Sequence, residues 1–391
     1  QTGRNRIGHT QAVSQLNRSL GAYEVQRFQG QYGDPDAQAS YYRIHLRGFG
    51  LSPSSSPTSD QARDLCSGIS RPLLTPPATL SQALRNGSLC HPALNKLTLS
   101  NYVTPAVIRA VEWVSALCPE LPHLFLTSSR DECVDKTLRC MRFHRPKAHI
   151  ALGLQGGYVG HTTAAARSLS DAAVHRGGPA YFEAWPLLPH PQTSGIEHTL
   201  AHLEACVAHA GGGQHVFGLF LEAVQERTGR VMDDSTWQAL HQHCQRLNVP
   251  LVLVETASSL YRSGRGPFYS STWSLKPDAM LWWAGGQLGF IHLAPRYRIS
   301  TPLTMISTWD GDELSLIRVH HQLRTLRHMD TTTRIATMDE LLKNTLSSPF
   351  KLRGTGMYRM IEATNEANAL CEYLQAQGWQ ARCFANQYVP V

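Results

Sequence analysis

The sequence predicts an α/β protein with a large domain on a mainly parallel central sheet and a small α+β domain at the C-terminus. Short apolar runs alternate with amphipathic stretches from residue 123 to residue 293. The runs at 216–221 and 250–254 are apolar almost throughout, which is typical of strands buried on both faces of a sheet. The chain also has 391 residues, more than one compact core usually holds, so a smaller satellite domain is expected.

Hydrophobic periodicity predicts the elements in chain order. The first helix of the large domain carries four apolar residues on one side: Val107, Ile108, Val111 and Val114. Ser235 is the predicted N-cap of a later helix. The predicted helices are 104–117, 132–143, 196–207, 236–247 and 313–329. The predicted strands are 41–46, 123–126, 149–154, 216–221, 250–254, 278–283 and 288–293.

Three segments follow from this pattern. Residues 1–90 form an N-terminal segment that contains a Ser- and Pro-rich loop at 51–60, whose composition predicts flexibility. Residues 91–312 form the large α/β domain. Residues 313–391 form a linking helix and the small C-terminal domain.

Composition excludes several classes of function. The net charge is +7, but the basic residues are dispersed, so we expect no nucleic-acid partner. No apolar run approaches the ~20 residues that span a bilayer, so we expect no membrane association. Nine cysteines without a CxxC pair indicate reduced thiols in a cytoplasmic protein. The histidine and cysteine groups at 202–209 and 241–244 lack the spacing of a closed zinc site, so no metal is predicted.

Four stretches carry a family resemblance: 93–96, 119–125, 275–287 and 307–309. Together they are similar to the class III (ornithine-type) aminotransferases, closest to the lysine 6-aminotransferase branch. The resemblance implies fold type I of the pyridoxal phosphate (PLP)-dependent transferases, and a dimer with its pocket at the subunit interface. Chains of this family continue beyond the point where this one ends at Val391, so the C-terminal domain is expected to be truncated.

The resemblance also implies a lysine that holds PLP as an imine, seven residues after a proline. Counting from Pro277, that position is Ala284. Lys276 is the nearest lysine in sequence, but it precedes the strand and would lie ~20 Å from the turn. We therefore expect no covalently bound PLP, although PLP is the cofactor of the family.

The predicted phosphate site is altered as well. In the family, backbone N–H groups at a helix N-terminus hold the phosphate, and the corresponding segment here begins at Ser129. Arg130 stands where the family has glycine, and Asp131 stands where it has a small residue, so a carboxylate would face the phosphate. Two like charges ~4 Å apart cost on the order of 1–4 kcal/mol. A plain capped helix is the alternative interpretation.

The remaining family positions are partly kept. Tyr158 matches the aromatic residue that stacks on the cofactor, but the histidine that follows it is replaced by Val159. Glu222 and Gln225 match a conserved strand end of the family pattern. Glu255 stands where an aspartate pairs with the pyridine nitrogen, one methylene longer.

Two more features complete the predicted pocket. Trp282 and Trp283 adjoin the lysine position. Because side chains alternate along a strand, one of the two is expected to point into the pocket. There it would either fill the pocket or form a wall for a new ligand. Thr308 matches a residue that completes the partner subunit's phosphate site. Unpaired buried carboxylates are costly, so Glu255, with Tyr158 and Glu222, is a candidate catalytic residue of a repurposed site.

Three hypotheses remain open. The first is a PLP-independent pseudo-aminotransferase with a noncatalytic or partner role, as a homodimer or as a heterodimer with an active paralogue. The second is an enzyme repurposed for other chemistry on an amino-acid-derived metabolite, with a small molecule bound in the former cofactor pocket. The third is a genuine PLP-dependent lysine-type transaminase with a displaced lysine.

Overall fold

The protein is built around a seven-stranded sheet. A computed structural model describes residues 23–29, 40–46, 63–65, 77–95, 97–98, 102–174, 178–346, 350–377 and 379–391. The strands of this sheet are β4 (His123–Thr127), β5 (Ile150–Leu154), β6 (Leu187–Leu188), β7 (Val216–Glu222), β8 (Leu251–Val254), β9 (Ala279–Trp283) and β10 (Gly289–Leu293). Their order in the sheet is β4-β10-β9-β8-β7-β5-β6. Strand β10 runs antiparallel to both of its neighbours, and the other neighbouring pairs are parallel. The predicted mixed α/β fold with a mainly parallel sheet is confirmed.

Eleven α-helices are found among the described residues. They are α1 (Ala78–Arg85), α2 (Cys90–Asn95), α3 (Pro105–Ser115), α4 (Arg130–His144), α5 (Ala164–Ser168), α6 (Pro191–Ser194), α7 (Ile196–His209), α8 (Asp234–Arg246), α9 (Glu313–Arg327), α10 (Thr331–Thr345) and α11 (Ala367–Ala376). The five predicted helices match α3, α4, α7, α8 and α9 within a few residues at each end.

Two local predictions were wrong. Helix α8 begins at Asp234 and is capped by Asp233, whose carboxylate accepts a hydrogen bond from Thr236 N at 2.7 Å. Ser235 lies inside the helix, and its hydroxyl donates to Asp233 instead. Ile108 is exposed, because Ala110 takes the buried position between Val107 and Val114 on α3.

The core of the large sheet packs against α3 and α9. Val107 and Val114 from α3 join Leu316 and Leu323 from α9 in one apolar cluster with Trp282 of β9. Helix α4 contacts β9 and β10 as well. Trp282 and Trp283 point to opposite faces of the strand, and Trp283 lies near Arg130 at the start of α4, so α4 covers the face opposite to α3 and α9.

The chain divides into two compact units, residues 68–360 and residues 1–67 with 361–391. In the smaller unit, β1 (Tyr23–Gln29) pairs antiparallel with β2 (Ser40–Leu46), which confirms the strand predicted at 41–46. Strand β3 (Arg63–Asp64) pairs parallel with β13 (Trp379–Gln380). The loop predicted at 51–60 lies outside the described residues. The predicted boundaries near residues 90 and 312 stay predictions.

The last strands are β11 (Lys351–Thr355), β12 (Tyr358–Glu362) and β14 (Tyr388–Pro390). No helix in the described part of the chain is both long and apolar enough to cross a membrane. Across the same residues, no group of three His, Cys, Asp or Glu side chains is arranged to hold a metal ion. His243 instead lies 2.9 Å from Glu204, and His241 lies 3.2 Å from the Lys276 carbonyl.

Candidate functional site

The predicted site residues gather at one edge of the large sheet. Tyr158 follows β5, Glu222 ends β7, Glu255 follows β8 and Ala284 follows β9. These four strands are parallel, so their carboxyl ends meet at the same edge, which is where ligands bind in open α/β sheets. Helix α4 begins at this edge, after β4. We call this region the crevice.

The carboxylate of Asp131 lies in the crevice and binds the loop that follows β5. Helix α4 is capped by Ser129, whose hydroxyl accepts from Glu132 N at 3.2 Å, and this leaves Asp131 free for another role. Its carboxylate accepts from His161 N at 2.8 Å, and from the backbone N and the hydroxyl of Thr162, both at 2.6 Å. Burial by itself would raise the pKa of Asp131, but these hydrogen bonds and the charge of Arg130 lower it below its ordinary value.

Arg130 is the second charged group in the crevice. Its Nη1 lies 2.5 Å from Glu226, a buried carboxylate. Its Cζ is 4.6 Å from the ring centroid of Tyr158 and 5.7 Å from that of Trp283. Burial would lower the pKa of Arg130, but Glu226 and the neighbouring carboxylates raise it above its ordinary value, so the guanidinium remains charged. A charged guanidinium therefore occupies the space between these aromatic rings.

The aromatic position of the predicted pocket is buried. Tyr158 is 3% exposed, and its hydroxyl lies 2.6 Å from His161 Nδ1. Arg227 packs on the same ring, with Cζ 3.8 Å from the centroid. Burial is the largest influence on His161 and lowers its pKa, so the ring is neutral near pH 7. Val159 is buried too, and its backbone N donates to Ser170 at 2.9 Å.

Glu222 is a buried carboxyl group that binds the backbone of Tyr158. One carboxyl oxygen accepts from Tyr158 N at 2.7 Å and the other accepts from Glu226 N at 2.8 Å. Burial raises the pKa of Glu222 to about 8, although the two backbone donors act in the opposite direction. Gln225 has no free polar group, because its amide donates to Gln155 O at 2.9 Å and accepts from Thr228 at 2.6 Å.

Glu255 is fully buried at the end of β8. Its carboxylate accepts from Ser270 N at 2.8 Å, from Tyr269 N at 3.2 Å and from the Ser258 hydroxyl. Burial is the largest influence and raises the pKa of Glu255. The side chain thus anchors the turn at 269–272, and these hydrogen bonds account for a polar group at a fully buried position.

Ala284 lies in a sealed position. Its side chain is fully buried in the apolar cluster below α3 and α9, and its N donates to Leu288 O at 3.0 Å. Its carbonyl accepts from Arg318 at 3.0 Å. Trp282 packs away from the crevice: its ring stacks on Phe290 at 4.3 Å, and its Nε1 donates to His292 at 3.1 Å.

The two tryptophans should respond differently to substitution. We expect Trp282→Phe to lower the free energy of unfolding by about 1–3 kcal/mol, because it removes buried volume and leaves His292 without its donor. Trp283→Phe is the matched control, since Trp283 is half-buried and donates only to Gly286 O. Its expected effect is within about 0.5 kcal/mol. Urea denaturation of the two variants measures the difference, and equal losses would contradict the assignment.

Other predicted residues do not join the crevice. Thr308 lies in an exposed turn. Lys276 precedes β9, as predicted, and its amine lies 3.8 Å from Glu120. Lys136 of α4 binds Asp310 and, at 3.3 Å, the Ser307 hydroxyl.

Sequence reasoning missed Glu226 and Arg227, which pair with Arg130 and cover Tyr158. A signal was present, since two adjacent charged residues follow directly after the buried strand β7 and Gln225. Both side chains are buried. Charged residues are rarely buried unless they are paired, but the sequence alone does not identify the partner.

A cavity of about 690 Å³ lies away from the crevice, on the side of the sheet covered by α3 and α9. Trp113, Phe268 and Met280 supply apolar walls, and Lys276 and Glu120 add charges. Lys276 and Glu120 lie at the opposite end of β9 from Ala284. The cavity is therefore remote from Ala284, and it meets the predicted site at Ser270, whose N–H binds Glu255.

Comparisons with solved structures identify the fold. Lysine aminotransferase from M. tuberculosis in the internal aldimine form matches with a TM-score of 0.69 and 17% identity, over 82% of each chain. A transaminase from the marine bacterium Virgibacillus matches with a TM-score of 0.68 and 16% identity, over 80% of this chain and 79% of that one. The (S)-enantioselective omega-transaminase from Thermomicrobium roseum matches with a TM-score of 0.68 and 17% identity, over 79% of each.

The chain has the fold of the PLP-dependent transaminases. No protein-family model and no curated protein matches it. At these identities the likeness concerns the fold, and the chemistry must be argued from the crevice. The predicted fold type is thus confirmed.

Proposed function

We propose that this protein is a PLP-independent pseudo-aminotransferase that acts through a noncatalytic or partner role. The main support is that the chain's own charged side chains fill the crevice. Arg130, paired with Glu226, lies against Tyr158 and Trp283, where the family resemblance expects the cofactor ring. A cofactor could enter only by displacing a buried ion pair, which costs several kcal/mol.

The phosphate position supports the same proposal. Asp131 in the first turn of α4 already accepts the N–H groups of His161 and Thr162. A carboxylate with three donors is an internal substitute for a bound anion. A phosphate placed here would meet a negative charge at short range and would lose those donors.

The imine position also does not fit PLP. Ala284 offers only a methyl group, which is fully buried in an apolar cluster. The amines of Lys136 and Lys276 are engaged by Asp310 and Glu120. Glu255, at the predicted pyridine-pairing position, already accepts hydrogen bonds from the backbone of the turn at 269–272. We therefore derive no reaction step through PLP.

The test is a trapping experiment. The full chain is incubated with excess PLP, reduced with borohydride and analysed by intact mass spectrometry and peptide mapping. We expect no stoichiometric PLP adduct and no gain in melting temperature, while a lysine aminotransferase treated in parallel is fully labelled. A single lysine modified stoichiometrically would overturn the proposal and favour the transaminase with a displaced lysine.

A second candidate is an enzyme of other chemistry, favoured by Glu222. This carboxyl group is buried, has a pKa raised to about 8 by burial, and lies beside the Tyr158–His161 pair, so it suits proton transfer. The substrate would be an amino-acid-derived metabolite. A thermal-shift screen of amino acids and keto acids separates the two candidates. Binding lost in Glu222→Gln would favour the enzyme, and no binding would favour the noncatalytic role.

We also propose a homodimer, or a heterodimer with an active paralogue, in a cytoplasmic setting. Thr308 lies next to Trp309, which is 49% exposed, and close in sequence to Ile306, which is 47% exposed. Large apolar side chains that stay exposed in one segment suit a subunit contact.

Replacing this apolar pair should weaken assembly. We expect Ile306→Ser with Trp309→Ser to raise the dimer dissociation constant about tenfold or more, because tryptophan is among the residues enriched at hot spots, where truncation costs about 2 kcal/mol or more. Analytical ultracentrifugation measures the shift. Leu341→Ser on α10, at a side chain 65% exposed, is the matched control. A monomeric wild-type chain would contradict the proposal for the homodimer.

A further inference from the structure

The cavity on the side of the sheet covered by α3 and α9 takes no part in the crevice chemistry described above. Its volume of about 690 Å³ lies within the range of about 300–1,000 Å³ that is usual for small-molecule sites. Phe268, Met280 and Leu323 supply buried apolar walls. Polar and charged side chains line other parts of it. An apolar interior with a few charged groups is the usual composition of a ligand site.

Two aromatic side chains add to these walls. Trp113 of α3 is half-buried and lines the cavity. Tyr261 lines it as well, from a turn in which Leu260 and Tyr261 both have left-handed backbone angles, with φ of +59° and +63°. Bulky residues rarely adopt this conformation, so the surrounding structure must hold it in place. Tyr261 N donates to Pro267 O at 3.2 Å, which closes the turn and fixes the ring at the cavity.

Arg327, the last residue of α9, is a cation without a counter-charge. Its Cζ lies 5.6 Å from the ring centroid of Trp113, which is a favourable cation–π distance. Among the described residues, its guanidinium forms neither an ion pair nor a hydrogen bond. The side chain is exposed and lines the cavity, so a ligand can reach it from solvent.

Glu112 supplies the opposite charge at the same wall. It directly precedes Trp113 on α3, is exposed and lines the cavity. Its carboxylate, too, forms no ion pair or hydrogen bond within the part of the chain that the structure describes. Arg327 and Glu112 therefore both lie next to Trp113, but they are too far apart to pair with each other. The other two charged residues of the lining, Lys276 and Glu120, already lie 3.8 Å from each other.

We propose that this cavity binds a small zwitterion of the class of the apolar α-amino acids, with its carboxylate on Arg327 and its ammonium group on Glu112. A zwitterion brings one charge of each sign, so it can form a charge-assisted hydrogen bond with each of these groups. Its apolar side chain would lie against the buried walls, where it is removed from water. Neither Glu222 nor Arg130 lines the cavity, so the inference does not rest on the function proposed for the crevice.

The test compares three probes that share a phenyl group: L-phenylalanine, 3-phenylpropionate and phenethylamine. At pH 7 the first is a zwitterion, the second carries only the carboxylate and the third carries only the ammonium group. Calorimetry measures their binding to the full chain. We expect L-phenylalanine to bind with one-to-one stoichiometry and the other two to bind about tenfold more weakly or worse, because each lacks one charge-assisted hydrogen bond. No binding of L-phenylalanine, or binding of either other probe as tightly, would overturn the proposal.

Two variants assign the charges. Arg327→Met should weaken the binding of L-phenylalanine about tenfold or more and leave that of phenethylamine unchanged. Glu112→Gln should also weaken the binding of L-phenylalanine, but it should leave that of 3-phenylpropionate unchanged. Arg324→Met is the matched control, since Arg324 is an exposed arginine of α9 that does not line the cavity. All three positions are exposed, so the variants are expected to fold, and their melting temperatures check this. Equal binding of L-phenylalanine by Arg327→Met and Arg324→Met would overturn the proposal.

A second readout locates the ligand. In protein labelled with ¹⁵N at the tryptophan indoles, Trp113→Phe identifies the signal of Trp113. We expect that signal to shift when L-phenylalanine binds, because the indole forms part of the cavity wall. Binding that survives in Arg327→Met but is lost in Glu222→Gln would place the zwitterion in the crevice. That outcome would overturn this inference and favour the enzyme of other chemistry.

Discussion

Replacing Asp131 with alanine is expected to lower the free energy of unfolding by about 3–5 kcal/mol at pH 7. The wild-type carboxylate accepts three hydrogen bonds from His161 and Thr162 and lies 3.7 Å from Arg130 Nε. Alanine would leave those donors without their acceptor and would leave Arg130 with Glu226 as its main counter-charge. Urea denaturation monitored by tryptophan fluorescence measures the loss.

The pH dependence has a defined sign. Burial would raise the pKa of Asp131, but its hydrogen bonds and Arg130 lower it overall. A depressed carboxyl pKa contributes stability that is present above the unfolded value and is lost as pH falls through the folded value. The difference in the free energy of unfolding between wild type and Asp131→Ala should therefore be largest at neutral pH. It should shrink in acid, below about pH 4.

A matched control and a rescue make the Asp131 experiment specific. Asp233→Ala removes an exposed carboxylate that caps α8, and it should cost only about 1 kcal/mol. Asp131→Gly leaves space for an external anion, so acetate or phosphate should restore part of its stability but none of that lost in Asp233→Ala. If neither anion stabilises Asp131→Gly, the carboxylate is not acting as an internal substitute for a bound anion.

The large sheet could be predicted because its strands are buried on both faces and read as apolar runs. β7 and β8 are buried at every residue, so periodicity was enough to place them. The caps were harder, since Asp233, Asp234 and Ser235 are all good N-cap residues in a row. Packing of Trp237 and Leu240 into the core selects Asp233, and that choice depends on tertiary contacts.

The sequence indicated which residues lie at this edge of the sheet, but not which of their charged side chains form ion pairs. Sequence placed Arg130, Tyr158 and Glu222 at one edge, because parallel strands end together. It gave no means to match Arg130 with Glu226, which is 96 residues away in the chain.

The stability of the wild-type protein should fall as the pH rises from about 5 to about 8, and Glu222 is the expected cause. Its pKa is raised by burial from an ordinary 4.5 to about 8, so between these values the folded state binds a proton that the unfolded state has released. A raised carboxyl pKa contributes stability that is present below the unfolded value and is lost as pH rises through the folded value. The decrease in the free energy of unfolding that Glu222 causes is at most about 4–5 kcal/mol.

Glu222→Gln separates this effect from the rest of the protein. The amide keeps one acceptor for Tyr158 N or Glu226 N but cannot titrate, so the variant should be less stable than wild type at pH 5. The difference in stability between wild type and Glu222→Gln should then narrow or reverse by pH 9, where Glu222 of the wild type is ionised while buried. Glu197→Gln makes the same substitution at an exposed position of α7 and should leave the pH slope unchanged. Parallel stability curves for wild type and Glu222→Gln would show that Glu222 is already ionised at pH 5, which would remove its suitability for proton transfer near neutral pH.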